Sequence, residues 1–171
     1  MISRRTLLAG GAAFAGLSAC EATPTLTRSE RPHPATSIVV YKAERRLHLL
    51  HGQVRLKSFD LSLGFNPVGP KRERGDGRTP EGAYYISSKN PGSAYHLSVG
   101  ISYPSTIDVA RARARGVSAG EDIFIHGQPR GIRGEARIQG DWTAGCIAVT
   151  NSAMQEIYAS VREGIPVFIN P

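Results

Sequence analysis

The sequence predicts a single β-rich α+β domain. Three observations predict it. Between Ser37 and Leu63, apolar residues alternate with polar ones in short consecutive runs, the period of a half-buried strand. Toward the C-terminus, Met154, Ile157, Tyr158 and Val161 repeat at helical spacing instead. Gly- and Pro-rich stretches separate such runs, and the 171 residues include 19 Gly and 11 Pro, enough to supply the turns that short strands need.

Each element follows from its local pattern. Ser37–Lys42 is an apolar strand, and Arg45–His51 alternates charged and apolar residues as its hairpin partner. Gly52-Gln53 turns the chain into a third run, Val54–Leu63, so the three form an antiparallel meander. Gly64–Gly82 is a long loop rich in Gly, Pro and charge, and loops of that length in compact domains are often functional. Ala83–Ser88 and Tyr95–Ser102 are further strands. Pro104–Arg115 reads as a helix with Pro104 in its first turn and Gly116 ending it. Arg111, Arg113 and Arg115 belong to its solvated face. Asp122–His126 is a short apolar strand, residues 128–141 are a second charged loop, and Ala144–Val149 is a strand or turn carrying Cys146. Asn151 is placed to cap a helix running to about Glu163. Ile165–Ile169 closes the domain, for about eight strands and no internal repeat.

The first twenty residues have a different character. Arg4 and Arg5 precede an uncharged, mostly apolar run from Leu7 to Ala19, too short to span a bilayer and of the size of a signal-peptide core. Ser3-Arg4-Arg5-Thr6-Leu7-Leu8 resembles a twin-arginine export signal, and an ordinary secretory signal fits the same residues. Leu17-Ser18-Ala19-Cys20 resembles a bacterial lipobox, which implies lipidation of Cys20 and an anchor on the periplasmic side of the cell envelope. Residues 21–36, rich in Thr, Pro and charge, read as a tether, leaving 37–171 as the domain.

The formal charge is +7. With Arg4 and Arg5 in the leader and no acid among residues 1–20, the remainder carries 19 Lys and Arg against 14 Asp and Glu, or +5. No nucleic-acid motif accompanies that modest excess, and aromatic residues do not alternate with the basic ones. The chain has two cysteines. If Cys20 carries lipid, Cys146 stands alone in an exported domain, where a single thiol is either buried or employed.

Two segments carry chemistry: Ile123-Phe124-Ile125-His126-Gly127 and Asp141-Trp142-Thr143-Ala144-Gly145-Cys146-Ile147-Ala148. A thiol becomes a good nucleophile when a neighbouring imidazole takes its proton, so Cys146 and His126 are the candidate nucleophile and general base. Gly145 allows a sharp turn before Cys146. The amides of Ala144, Gly145 and Cys146 are candidate donors to a developing oxyanion.

From about Ile38 to the C-terminus, the chain resembles the L,D-transpeptidase family with its YkuD-type catalytic domain. The resemblance is carried by His126-Gly127 and by Thr143-Ala144-Gly145-Cys146, which match the family's His-Gly pair and Ser/Thr-x-Gly-Cys turn. Gly75-Asp76-Gly77-Arg78-Thr79-Pro80-Glu81-Gly82 is similar to its Thr-Pro-x-Gly segment, and Ala94–Ser98 with Gly100–Pro104 to the segment before the site. The resemblance implies a β-sandwich or barrel-like domain with a few helices. It also implies acyl transfer on peptidoglycan stem peptides through a Cys146 thioacyl-enzyme, with no metal or organic cofactor and a carbonyl of Gly127 orienting the His126 ring. Thr143 and Gly127 would then complete the turn around the thiol, and His96, Trp142 and Arg78 are candidate substrate contacts. Ala148 and Ala144 stand where family members commonly carry Arg and His, and the Asp-Trp-Thr-x-Gly-Cys-Ile-Ala form resembles a branch in which the acceptor is an amine or water. The products would be crosslinks, exchanged amines including a protein attached to the wall, or hydrolysed stems. Two other classes are a zinc hydrolase using His126, Cys146 and His96, which lacks paired ligands at short spacing, and a non-catalytic wall-binding lipoprotein.

Overall fold

The structure is a computed structural model that describes residues 34–171; the leader, the lipobox with Cys20 and most of the tether lie outside the described residues. Among the described residues the chain forms eight strands and two helices. In order these are β1 (Ser37–Tyr41), β2 (Arg46–His51), β3 (Val54–Asp60), β4 (Gly82–Asn90), β5 (Ser98–Ile101), α1 (Thr106–Arg113), β6 (Phe124–His126), β7 (Ile147–Ala148), α2 (Asn151–Ser160) and β8 (Pro166–Asn170). The strands hydrogen-bond in the order β3-β2-β1-β8-β4-β5-β6-β7, a strand-rich half-barrel.

The meander β1–β2–β3 is antiparallel as the alternation predicts, with Val40 opposite Leu47 and Leu49 opposite Lys57. Its third strand stops at Asp60, and a register shift between Leu49 and Leu50 breaks the pairing. Beyond Asp60 the chain pairs elsewhere, through isolated bridges of Ser62 to Ala148 and Gly64 to Thr143. The C-terminal strand does not close an edge. It inserts parallel to β1 and antiparallel to β4, joining the N-terminal meander to the second half of the sheet. One face of these strands forms the core: Ile38 and Val40, Leu47 and Leu49, Tyr84 and Ile86, Val167 and Ile169 are all buried. Helix α2 lays Met154 and Ile157, both wholly buried, against the core, and each such side chain contributes about 1.5–3 kcal/mol of apolar burial.

Helix boundaries differ from the sequence expectation for reasons of capping. Ser105 caps α1: its hydroxyl accepts from the Asp108 amide while the Asp108 carboxylate accepts from the Ser105 amide. Pro104 therefore precedes the cap instead of occupying the first turn. The cap of α2 is Thr150, whose hydroxyl accepts from the Ala153 amide. Asn151 is drawn away to the loop, accepting from the Gln128 amide at 2.7 Å and donating to the Ile132 carbonyl at 2.7 Å. Tyr95, Ala94 and His96 form a turn ahead of β5, not the start of the strand.

The 64–82 loop is fixed by two buried lysines. Lys42 Nζ donates to the carbonyls of Gly69 and Thr79 and to Glu81 Oε1 at 2.7–3.0 Å. Lys71 donates to Asp76 at 2.8 Å. Burial alone would raise the Asp76 pKa, but the Lys71 ammonium and the amides of Arg72, Arg78 and Glu73 outweigh it and hold the carboxyl below the usual range. The loop thus presents its Gly77-Arg78 backbone as a firm wall toward Cys146.

Candidate active site

The turn carrying Cys146 is clamped from both sides by the chain that leaves β3. Ser62 and Ala148 exchange both main-chain hydrogen bonds, at 2.8 and 2.9 Å. Thr143 donates to Leu63 at 3.1 Å and accepts from Phe65 at 2.8 Å. Asp141 adds a side-chain brace: Oδ1 accepts from the Leu63 amide at 2.8 Å, and the carboxylate takes Arg45 through Nε and NH2, the shorter contact being 2.7 Å. Inside the turn, the Thr143 hydroxyl donates to the Cys146 carbonyl at 2.7 Å and accepts from the Gly145 amide at 3.1 Å. Gly145 has φ +138°, and a Cβ there would lie 2.7 Å from the Arg78 carbonyl oxygen, so only glycine fits this wall-to-turn contact.

His126 ends β6, between β5 and β7, and is 5% exposed. Its Nδ1 lies 2.7 Å from the Gly127 carbonyl oxygen. A carbonyl can only accept, so the neutral ring carries its proton on Nδ1 and leaves the Nε2 lone pair unprotonated. Burial lowers the His126 pKa, partly opposed by the Gly127 hydrogen bond. Tyr95 packs on the ring at a centroid distance of 4.6 Å, and Trp142 meets it edge-on at 5.8 Å. Burial also raises the Cys146 pKa; the Phe124 amide opposes it, Asp122 adds to it, and Lys71 opposes it from further off. The Cys146 Sγ donates to the Asp122 carbonyl at 3.4 Å, and Asp122 itself sits at φ +62°. Burial therefore biases both groups toward their neutral forms.

Cys146 and His126 line one cleft of about 540 Å³, together with Tyr95, Ser98, Trp142 and Thr143. The amides of Ala144 and Cys146 carry no hydrogen bond among the described residues, whereas the Gly145 amide is engaged by Thr143. Two of the three sequence-proposed oxyanion donors are thus free, and Gly145 serves the shape of the turn. Trp142 Nε1 is buried with no hydrogen-bond partner. His96 and Arg78 are placed apart from the cleft. His96 lines a neighbouring cleft with Gln128 and Asn151, and Arg78 extends toward Gly69. Among the described residues no group of three or more His, Cys, Asp or Glu is arranged to hold a metal ion.

Sequence reasoning gives no individual role to Asp122, nor to Tyr95 and Asp141, which lie in segments it singles out. Tyr95 falls in a run whose pattern reads as strand, and Asp141 gives a signal only in standing beside Trp142 and Thr143. Asp122 follows Gly120 and is among the residue types that tolerate a left-handed backbone, a weak mark of a turn.

A half-barrel with a cysteine and a histidine converging on one cleft defines the class, and comparison with known proteins gives the family. A model of the L,D-transpeptidase catalytic domain, YkuD, matches residues 35–169, and the chain belongs to this family. YafK of Escherichia coli (strain K12), named as a candidate L,D-transpeptidase, is 30% identical over 168 residues, covering 92% of this chain and 61% of YafK. The crystal structure of Pgp2 from Campylobacter jejuni, a helical cell shape determining protein, superposes with a TM-score of 0.61 at 25% identity, over 81% of this chain and 47% of Pgp2. An L,D-transpeptidase from Mycobacterium smegmatis shares the fold at a TM-score of 0.54 and 15% identity, over 81% of this chain and 59% of that one. The chain thus spans about 61% of the length of the curated relative it matches.

Two outcomes follow from this geometry. Alkylation of Cys146 by iodoacetamide, read on the Cys146 peptide by mass spectrometry, should rise through an inflection above about 8.5, the ordinary thiol value. A rate that is already maximal below neutrality would show a preformed thiolate–imidazolium pair and overturn the neutral-pair description. Gly145→Ala should cost on the order of 1–3 kcal/mol or more in urea unfolding, from a disfavoured φ and a collision with Arg78. A cost under about 0.5 kcal/mol would mean that the turn does not need glycine.

Proposed function

We propose that this chain is a peptidoglycan-modifying L,D-transpeptidase that works through a Cys146 thioacyl-enzyme on L–D amide bonds of stem peptides. The observation that carries the proposal is the His126 tautomer: with the Nδ1 proton committed to Gly127, Nε2 is available as a base in the same cleft as the Cys146 thiol. In the reaction, Cys146 Sγ attacks the stem carbonyl as its proton passes to His126 Nε2. The oxyanion is met by the amides of Ala144 and Cys146. The C–N bond breaks, His126 returns the proton to the leaving amine, and a thioester remains. An acceptor amine then attacks the thioester, His126 takes its proton and returns one to the sulfur. With water in place of the amine, the same residues give hydrolysis. The likeness to YafK, named as a candidate L,D-transpeptidase, supports this reading. The likeness to Pgp2, a helical cell shape determining protein, supports extending it to wall organisation and cell shape. Export and lipidation of Cys20 belong to the proposal and rest on residues 1–20 alone.

The purified chain, incubated with tetrapeptide muropeptides and with crosslinked sacculi, should yield crosslinked or amine-exchanged products by mass spectrometry. Cys146→Ala should reduce them at least about a thousandfold. Stems lacking a terminal residue or an attached amine, with water as sole acceptor, would reassign the chain as a hydrolase. Wall binding without any Cys146-dependent product would leave a wall-binding lipoprotein. For the anchor, the native chain should partition with membranes and carry a diacylglyceryl mass on Cys20. Recovery of soluble chain with an unmodified Cys20 would remove this part of the proposal.

A further inference from the structure

A second cleft, of about 340 Å³, adjoins the one holding Cys146; Ser93 lines both. Its floor is rigid. Gln128, 1% exposed, donates through Nε2 to the Val149 carbonyl at 2.7 Å and accepts at Oε1 from the Ile138 amide at 2.9 Å. Asn151 bridges the Gln128 amide and the Ile132 carbonyl. These two side chains satisfy their own polar groups and fix the 128–133 turn from which Arg130 and Arg133 project.

The rim is unsatisfied. Arg130 and Arg133 line the cleft, both are exposed, and neither has an ion pair or side-chain hydrogen bond among the described residues. Residues 128–141 carry three arginines, and their two acids are engaged elsewhere: Asp141 by Arg45, and Glu135 by the Thr150 hydroxyl at 3.3 Å. His96 also lines this cleft. Its backbone is left-handed at φ +70°, and its Nε2 is buried without a hydrogen-bond partner. A non-glycine residue held in that region, with a polar ring atom left unpaired, is an outlier of the kind that clusters at ligand sites.

We infer that Arg130 and Arg133, over a floor to which His96 belongs, form a carboxylate-binding subsite that holds a free carboxylate of the peptide whose carbonyl lies at Cys146. Two guanidinium groups over a fixed floor suit a planar carboxylate through paired hydrogen bonds. Ser93 lines both clefts and so places them side by side; in this proposal one extended peptide, advancing about 3.3–3.6 Å per residue, spans both. This subsite selects stems by the state of that carboxylate and rests on the acyl-transfer reading above.

The test separates binding from turnover. Calorimetry on the full chain bearing Cys146→Ala, which blocks turnover, compares a stem tetrapeptide with forms in which its carboxylates are converted singly to carboxamides. The Arg130→Gln, Arg133→Gln double variant should bind the free peptide about tenfold more weakly and lose discrimination against one of the carboxamides. An Arg130→Lys, Arg133→Lys variant should recover part of the affinity, and added salt should weaken wild-type binding more than that of the Arg→Gln double variant. Unchanged affinity in the Arg→Gln double variant, an equal loss for the free peptide and every carboxamide, or no peptide binding by the parent chain would each overturn the subsite. The acyl-transfer reading fails separately, when the Cys146-intact chain gives no product although the peptide binds.

Discussion

The site depends on one backbone contact, the antiparallel exchange between Ser62 and Ala148, continued by Leu63, Phe65 and Thr143. β7 is only two residues long and pairs with β6 on one side. A strand so short has little stability of its own, and this second set of hydrogen bonds makes it a fixed platform. Because residues 62–65 continue directly from the meander, the position of Cys146 is referred back to the N-terminal half of the sheet. Asp141 repeats the connection with a side chain, tying Arg45 in the β1–β2 turn to the start of the nucleophile segment.

The clamp brings three chain segments very close. A Cβ on Gly64 would stand 2.0 Å from the Gly77 carbonyl oxygen and 3.1 Å from Gly145 Cα, and Gly145 in turn abuts the Arg78 carbonyl. The long charged loop is therefore structural where it meets the turn: Lys42 and Lys71 hold it so that its backbone backs the nucleophile. Arg78 contributes its carbonyl to this wall while its guanidinium points elsewhere. Arg78 is a candidate substrate contact through the resemblance, and the part of it that meets the Cys146 turn is its carbonyl.

That contrast runs through the whole chain. The meander, the half-buried strands and the apolar face of α2 are legible because they follow from local periodicity. The Cys146 turn and the His126 strand end are legible from residue types and resemblance. The insertion of β8 between β1 and β4 is not legible, since nothing in Pro166–Asn170 encodes which strands, more than a hundred residues away in one case, it will join. Asn151 and Thr150 are both good caps, and only the tertiary demand of the Gln128 amide decides that Asn151 is used elsewhere. Tyr95 escapes notice because its contact with His126 is made across a left-handed turn at His96 that periodicity cannot foresee.

The neutral state of Cys146 and His126 is the chemical consequence of the same packing. Two aromatic rings and the strand neighbours exclude water from the imidazole, and burial biases both groups against charge. An ion pair formed in advance would bear a desolvation cost of several kcal/mol per ion. Holding the proton on sulfur avoids that cost. This arrangement has a second effect. Oxidants and stray disulfides react with the thiolate, so a thiol that ionises only under attack is protected while idle. In the proposed reaction, charge would move from sulfur, where burial opposes it, to an oxygen within reach of amides that the turn leaves unpaired.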